Sequence, residues 1–209
     1  ISGVLTPGGV GTILLPETTG TADAWAVGGG VKFNVPMLGA KDYVIVQAAY
    51  SEGVLSYVGQ GINGGFNLNG DNNALEHYIG PAFDAVVLPG GSFDKTKAWS
   101  VTGGFEHWWA PKWRSSLYGA YGKLEYSDAA SAVLQPLFAG TAVGSSASWS
   151  YSQIGSRTVF TPVENLDLSV EVMYNNLQGA FATAPGSANT YGDKDWVSGI
   201  FRVQRNFYP

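Results

Sequence analysis

Cysteine is absent from the 209 residues, so neither a disulfide framework nor a thiolate metal site organises the chain. Charge is scarce: Asp, Glu, Lys and Arg make up 13%, against roughly a quarter in soluble domains. A soluble domain of this size keeps more charge on a surface that meets water everywhere, so much of this surface faces something else. Basic excess is missing too, and a net charge of −5 argues against a nucleic-acid-binding surface. Long apolar runs are lacking. The densest, Tyr43–Val46 and Ala85–Leu88, fall far short of the ~18 to 20 residues of a transmembrane helix. A membrane protein without such a helix must span as a closed barrel, because only helices and barrels satisfy every backbone group in lipid.

Catalytic signatures are equally thin. The two histidines, His77 and His107, lie in a loop and at a strand end, with no Gly-x-Ser-x-Gly elbow, paired metal ligands or phosphate-cradling loop. An enzyme on a barrel needs a Ser or Asp near one of these histidines at the external rim. The stretch Asn67–Asn73, with Asp71 and the later Glu76, superficially resembles a calcium loop but lacks its spacing and terminal Glu. We therefore expect no enzyme, no metal site and no cofactor. Ile1 is not a start methionine and no signal peptide leads the chain, which suggests an internal starting point.

What is present points one way. Gly, at 29 residues, is about double its usual share, and aromatics reach 13%. The patterning predicts strands at Ala22–Val35, Asp42–Gly53, Lys95–Trp109, Trp113–Tyr126, Ala147–Phe160, Leu166–Gln178 and Lys194–Phe207, with Ile1–Thr6 a candidate tail of another. Short connections (Pro36–Lys41, Ala110–Lys112, Thr161–Asn165) alternate with long ones (Val54–Asp94, Ser127–Ser146, Gly179–Asp193). Tight periplasmic turns and long external loops are the asymmetry of outer-membrane barrels. Long loops scattered through a compact soluble domain would count against the assignment, but here they fall on one side.

Side-chain alternation agrees. In Leu166–Asn176, Leu166, Leu168, Val170, Val172 and Tyr174 share one face, while Asp167, Ser169, Glu171, Met173 and Asn175 share the other. In Trp99–Trp109 the outward set is Trp99, Val101, Gly103, Phe105, His107 and Trp109, which turns Ser100, Thr102 and Glu106 inward. Trp99 and Trp109 are ten residues apart. At ~3.3 Å per residue and a tilt of ~40° this projects to roughly 25 Å, the height of the apolar band. Trp99, Trp109, Trp113, Tyr174 and Phe207 are the expected membrane-interface aromatics.

Two segments carry a family resemblance. Gly155-Ser-Arg-Thr-Val-Phe-Thr-Pro-Val-Glu-Asn-Leu-Asp-Leu-Ser-Val-Glu-Val-Met-Tyr174 resembles the hairpin near the C-terminal end of alphaproteobacterial general porins, and Trp196-Val-Ser-Gly-Ile-Phe-Arg-Val-Gln-Arg-Asn-Phe207 is similar to their terminal strand. The Trp108–Trp113 hairpin and Ser115–Gly119 fit as well. The resemblance implies a trimeric, sixteen-stranded, water-filled channel for passive diffusion of small hydrophilic solutes and ions. It implies outer-membrane lipid, lipopolysaccharide and the barrel-assembly machinery as partners. The family commonly ends on an aromatic residue, whereas here Tyr208 and Pro209 follow Phe207. Seven or eight strands are about half of such a barrel, so residues 1–209 read as one all-β domain, the C-terminal portion of a longer porin. The rivals are a closed eight-stranded barrel with a structural or adhesive role and a soluble all-β binding domain.

Charges inside the lumen set a channel's field and size cut-off. The expected pore-lining residues are Lys32, Glu106, Lys123, Arg157, Glu171 and Arg202. A mid-strand Arg facing lipid costs roughly 2 to 4 kcal/mol, which favours inward for Arg157. Arg202 faces inward with Gln204 if Phe201, Val203 and Phe207 face out, and Arg205 then snorkels to the interface. For Lys123 and Glu125, either parity of Trp113–Tyr126 leaves one awkward residue. The first long loop either folds inward to narrow the pore or packs on the rim.

Overall fold

The structure is a computed structural model and describes residues 21–58, 82–138, 146–179 and 193–207. Its strands are β1 (Trp25–Asn34), β2 (Tyr43–Glu52), the short β3 (Ala85–Val87) and β4 (Phe93–Lys95), β5 (Lys97–Ala110), β6 (Trp113–Glu125), β7 (Trp149–Val163), β8 (Leu166–Gln178) and β9 (Lys194–Arg205), with one helix, α1 (Asp128–Phe138). Seven of the strands form one antiparallel sheet in the order β1-β2-β5-β6-β7-β8-β9, and β3 pairs with β4 apart from it. All seven strands expected from the sequence form. The candidate strand Ile1–Thr6 and the segment containing Asp71, Glu76 and His77 lie outside the described residues.

The register divides every strand into the same two faces. Opposite Val170 and Val172 on β8 stand Thr158 and Ser156 on β7 and Phe201 and Gly199 on β9. This face also carries Phe33, Val101, Leu117 and Ile154, and its apolar side chains stay open: Phe201 is 68% exposed and Val197 67%. Branched and aromatic side chains standing free on a pleated face need an apolar medium to cover them. The other face carries Gln47, Thr102, Glu106, Arg157, Glu171 and Arg202.

Rows of paired residues climb relative to the turns. The row containing Tyr43 and Glu171 touches the turn that starts β2 but runs several residues from the turn that starts β8. A stagger of about one residue per strand corresponds to a tilt of roughly 35°.

The short connections close tightly. Asn165 adopts φ 63° in the two-residue turn between β7 and β8, a left-handed conformation Asn tolerates. β7 runs past the expected end at Phe160 because the register shifts between Phe160 and Val163. That irregularity accommodates Pro162, which has no amide hydrogen to give the ladder; its carbonyl accepts from Lys112 Nζ at 2.7 Å.

At the β1–β2 turn the carboxylate of Asp42, 1% exposed, does the work of a missing strand. β2 stops pairing with β5 at Glu106, which leaves the Trp108 amide without a ladder partner on that edge. Asp42 Oδ1 accepts it at 2.9 Å, and Oδ2 meets His107 Nδ1 at 2.5 Å. Gly39 leaves the space, since a Cβ there would stand 2.7 Å from the carboxylate.

The long connections contain structure of their own. Leu55–Val58 forms a 3-10 turn. Leu88-Pro89-Gly90-Gly91 reverses the chain between β3 and β4, with Gly91 N–H donating to Leu88 O at 2.9 Å and Gly90 at φ 103°. Pro then Gly at the two central positions is the type II arrangement. Ser127 caps α1, its hydroxyl accepting from Ala130 N–H at 3.0 Å. These pieces bury Leu55, Val58, Val86, Ala130 and Leu134 against Ala98, Leu124, Trp149 and Leu177. Those four sheet residues all lie on the polar face at the loop ends of their strands. The dry core therefore lies on the polar face of the sheet, at one end.

Burial alone would raise the Asp42 carboxyl, but the hydrogen bonds from His107 and Trp108 outweigh it and hold the group below the usual carboxylate range. Its anchoring is thus fully present above about pH 4 and is lost as pH falls through the lowered value. The exchange protection factor of the Trp108 amide, measured by NMR on refolded protein, should be high at about pH 6 and collapse in strong acid. In Asp42→Ala it should be low at both; equal protection in the variant would remove Asp42 from this role.

Candidate pore wall

One row crosses the polar face through six strands: Tyr43, Glu106, Ser116, Arg157, Glu171 and Ile200 stand side by side. It reads acid, hydroxyl, base, acid over its four central strands, because each of these residues has the inward parity of its own strand. Ser116 donates to Glu106 at 3.2 Å. Arg157 Nε is buried and makes no hydrogen bond among the described residues. One row nearer the turns lie Trp108, Arg114, Val159, Ser169 and Arg202. Arg114 Nη2 pairs with Asp167 Oδ2 at 2.7 Å, and Thr161 donates to the other Asp167 oxygen at 2.5 Å. The guanidinium also lies 5.2 Å from the Trp108 ring centroid, with Lys41 Nζ 4.5 Å from it. These contacts hold a basic group rigidly at the turn end of the wall.

Toward the loops the wall changes character. Lys32 lies in the row of Ile45, Gly104, Tyr118, Gly155 and Met173, with its Nζ 3.7 Å over the Tyr43 ring. Gly155 is required there, because a Cβ would come within 2.8 Å of the Tyr118 ring. Beyond that row come Gln47, Thr102, Gln153, Asn175 and Trp196. Tyr151 donates to Asn175 at 2.6 Å, and Asn175 approaches Ser198 at 3.4 Å.

Five of the six residues expected on the pore side, Lys32, Glu106, Arg157, Glu171 and Arg202, fall on the polar face. Lys123 does not. It stands opposite Trp99 and Ser150, on the apolar face with Tyr121, and its ammonium bonds Glu125 at 2.7 Å. The outward parity of Leu117 and Tyr121 decides the strand, and the two charges that spoil it sit at its loop end, where they pair with each other. Trp99, Trp109, Trp113 and Tyr174 are on the apolar face, and Phe207, just beyond β9, is 84% exposed. Trp99 leans on Tyr121 at 5.1 Å between centroids, and Trp113 stacks on Phe160 at 4.4 Å.

Sequence reasoning passed over Arg114, Asp167 and Trp108. Their signal was available: an outward Trp113 turns Arg114 inward, and Asp167 shares parity with Glu171. Asp42 and His107 have the acid–base half of a hydrolase triad, but among the described residues no hydroxyl bonds to the His107 ring. Ser115, opposite His107, is engaged with Trp109 Nε1 at 3.1 Å and Thr158 at 2.9 Å. No group of three or more His, Cys, Asp or Glu side chains that could hold a metal occurs among the described residues.

A tilted antiparallel sheet, apolar outside, polar and charged inside and floored by tight turns, is the wall of a transmembrane β-barrel. Residues 17–200 match the model of the porin subfamily, and the chain belongs to that family, which places it in the bacterial outer membrane. Among solved structures, the outer membrane channel DcaP of Acinetobacter baumannii is similar, at 18% identity and a TM-score of 0.47, over 87% of this chain and 40% of that one. The chain thus spans less than half the length of that channel. No curated protein matches it.

The contact between Gly155 and Tyr118 can be tested in isolation. Gly155→Ala should destabilise the refolded barrel by about 1 to 2 kcal/mol in urea unfolding, and Tyr118→Ala in the same chain should restore most of it. Additive effects of the two changes would show that the ring does not need the space.

Proposed function

We propose that this chain is one side of a wide, water-filled channel that lets small hydrophilic solutes and ions diffuse passively across the outer membrane. The observation that carries it is the openness of the inner face. Ile45 and Ile200 are 42% and 46% exposed there, and Gln47, Thr102 and Arg202 are exposed too. In an eight-stranded barrel the interior is filled by side chains. With seven strands in place such an interior would already be nearly closed, so this open face favours a larger barrel over the small one.

Strand direction adds a constraint. β1 and β9 run the same way and neither has a second neighbour among the described strands, so an all-antiparallel closure needs an odd number of further strands. Nine complete the sixteen-stranded barrel that the family resemblance implies. On this reading residues 1–209 are one domain, the C-terminal portion of a longer alphaproteobacterial general porin. Solutes and ions are its ligands, and it carries out no chemical step. Its apolar face meets lipid and lipopolysaccharide, the assembly machinery inserts it, and it works as a homotrimer.

Full-length protein in a planar bilayer should show stepwise, ohmic conductance in simple salts and retain it without any added cofactor. Silence across several salts, from protein that shows heat-modifiable gel migration, would overturn the channel. Closure of residues 1–209 alone into a heat-modifiable barrel in detergent would overturn the larger one.

A further inference from the structure

The loops and the charges occupy different heights of the wall. Leu55, Val58, Val86, Ala130 and Leu134 cover the inner face at its loop end, across β5, β6, β7 and β8. The two loops that supply them brace each other. Ser127 Oγ donates to Asp94 at 2.5 Å, the Phe83 amide donates to the Tyr126 hydroxyl at 3.0 Å, and Asp84 Oδ1 accepts from the Leu55 amide at 2.8 Å. Ser131 Oγ then accepts from the Ala147 amide at 3.0 Å, which fastens the far end of α1's loop. A cluster this dry, with its polar groups tied across both loops, holds a fixed shape.

Asp84 and Asp94 are engaged in those braces, and the charges of the strands' inner face stand lower, with the Lys32 ammonium reaching back over the Tyr43 ring of the Glu106 row. Glu106, Arg157 and Glu171 share one row, Arg114 and Arg202 the row beneath it, and Asp167 lies nearer still to the turns. Between them and the cap lies the uncharged stretch of Gln47, Thr102, Gln153 and Asn175. We propose that, on the channel reading above, this wall separates two selections along the pore axis. The braced loop cap at the external mouth sets the size limit, and the row of Glu106, Arg157 and Glu171 below it sets the preference for ion sign. Size and sign are then adjusted by different residues, unlike a pore in which one constriction does both.

Full-length protein in planar bilayers and in proteoliposomes tests this with two sets of variants. Leu55→Ala with Leu134→Ala loosens the cap from within, and Ser127→Ala cuts one brace without opening a cavity. Swelling rates with neutral sugars of increasing size read the size limit free of charge effects, and permeability ratios in a salt gradient read ion sign. The cap variants should admit larger sugars and raise single-channel conductance by about twofold, with the permeability ratio unmoved. Glu106→Gln with Glu171→Gln should lower the cation-to-anion ratio by about twofold or more, with the sugar limit unmoved. Heat-modifiable migration confirms that each variant folds; if the double cap variant does not, Ser127→Ala carries the test. A variant of either set that shifts both readouts together, or cap variants that shift neither, overturns the separation while leaving the channel standing. A wild type that never conducts overturns both.

Discussion

A backbone amide in lipid has no water to bond to, and that constraint reaches every part of this sheet. It explains why the spanning segments are strands paired on both edges wherever a neighbour exists, and why the connections on one side are as short as the chemistry of turns permits. It also explains the care taken where the ladder stops. The amide of Trp108 would be orphaned by the early end of β2, and the buried Asp42 carboxylate replaces the missing strand. Pro162, which cannot donate, is placed at a register shift. The outer edges of β1 and β9 are the two places where the described sheet leaves the rule unmet, which is why closure by further strands is part of the reading.

Once the ladder is satisfied, the period of two sorts the side chains. Lipid can cover Phe33, Val101, Val170 and Phe201 without hydrogen bonds, and water can cover Lys32 and Arg202 without packing. The middle of the wall needs no conventional core. Glycine contributes through space: Gly155 opens room for the Tyr118 ring and Gly39 for the Asp42 carboxylate. Buried apolar contact concentrates instead at the loop end of the inner face, around Leu55, Leu124 and Trp149. A soluble protein puts its dry cluster at its centre. Here it lies at the loop end of the inner face, so the residues that stabilise the loops also cover that end of the wall.

The sorting of charges follows from these two levels. Arg114, Asp167 and Thr161 form a closed set of charge-assisted bonds at the turn end, which fixes one basic group. Arg157 stands in the same wall with a buried Nε that makes no hydrogen bond among the described residues. It lies between carboxylates two strands away on one side and next door on the other.

By itself the sequence determined the seven strands of the main sheet, the alternation of short and long connections and the facing of most side chains, because all three depend on local period and turn chemistry. Leu166–Gln178 has the bounds read from its alternation, and the polar-face placement of Glu106, Arg157, Glu171 and Arg202 follows from parity alone. Tertiary structure decided what parity could not. Lys123 lies outward because its neighbours Leu117 and Tyr121 need lipid and Glu125 can neutralise it at the strand end. Trp108, Arg114 and Asp167 form a unit because the register of β5, β6 and β8 brings them together across the sheet. Where the described parts of the first two long loops pack was likewise decided by tertiary structure: their scattered Leu, Val and Ala carry no period, and the inner ends of β5, β6, β7 and β8 offer the surface that buries them.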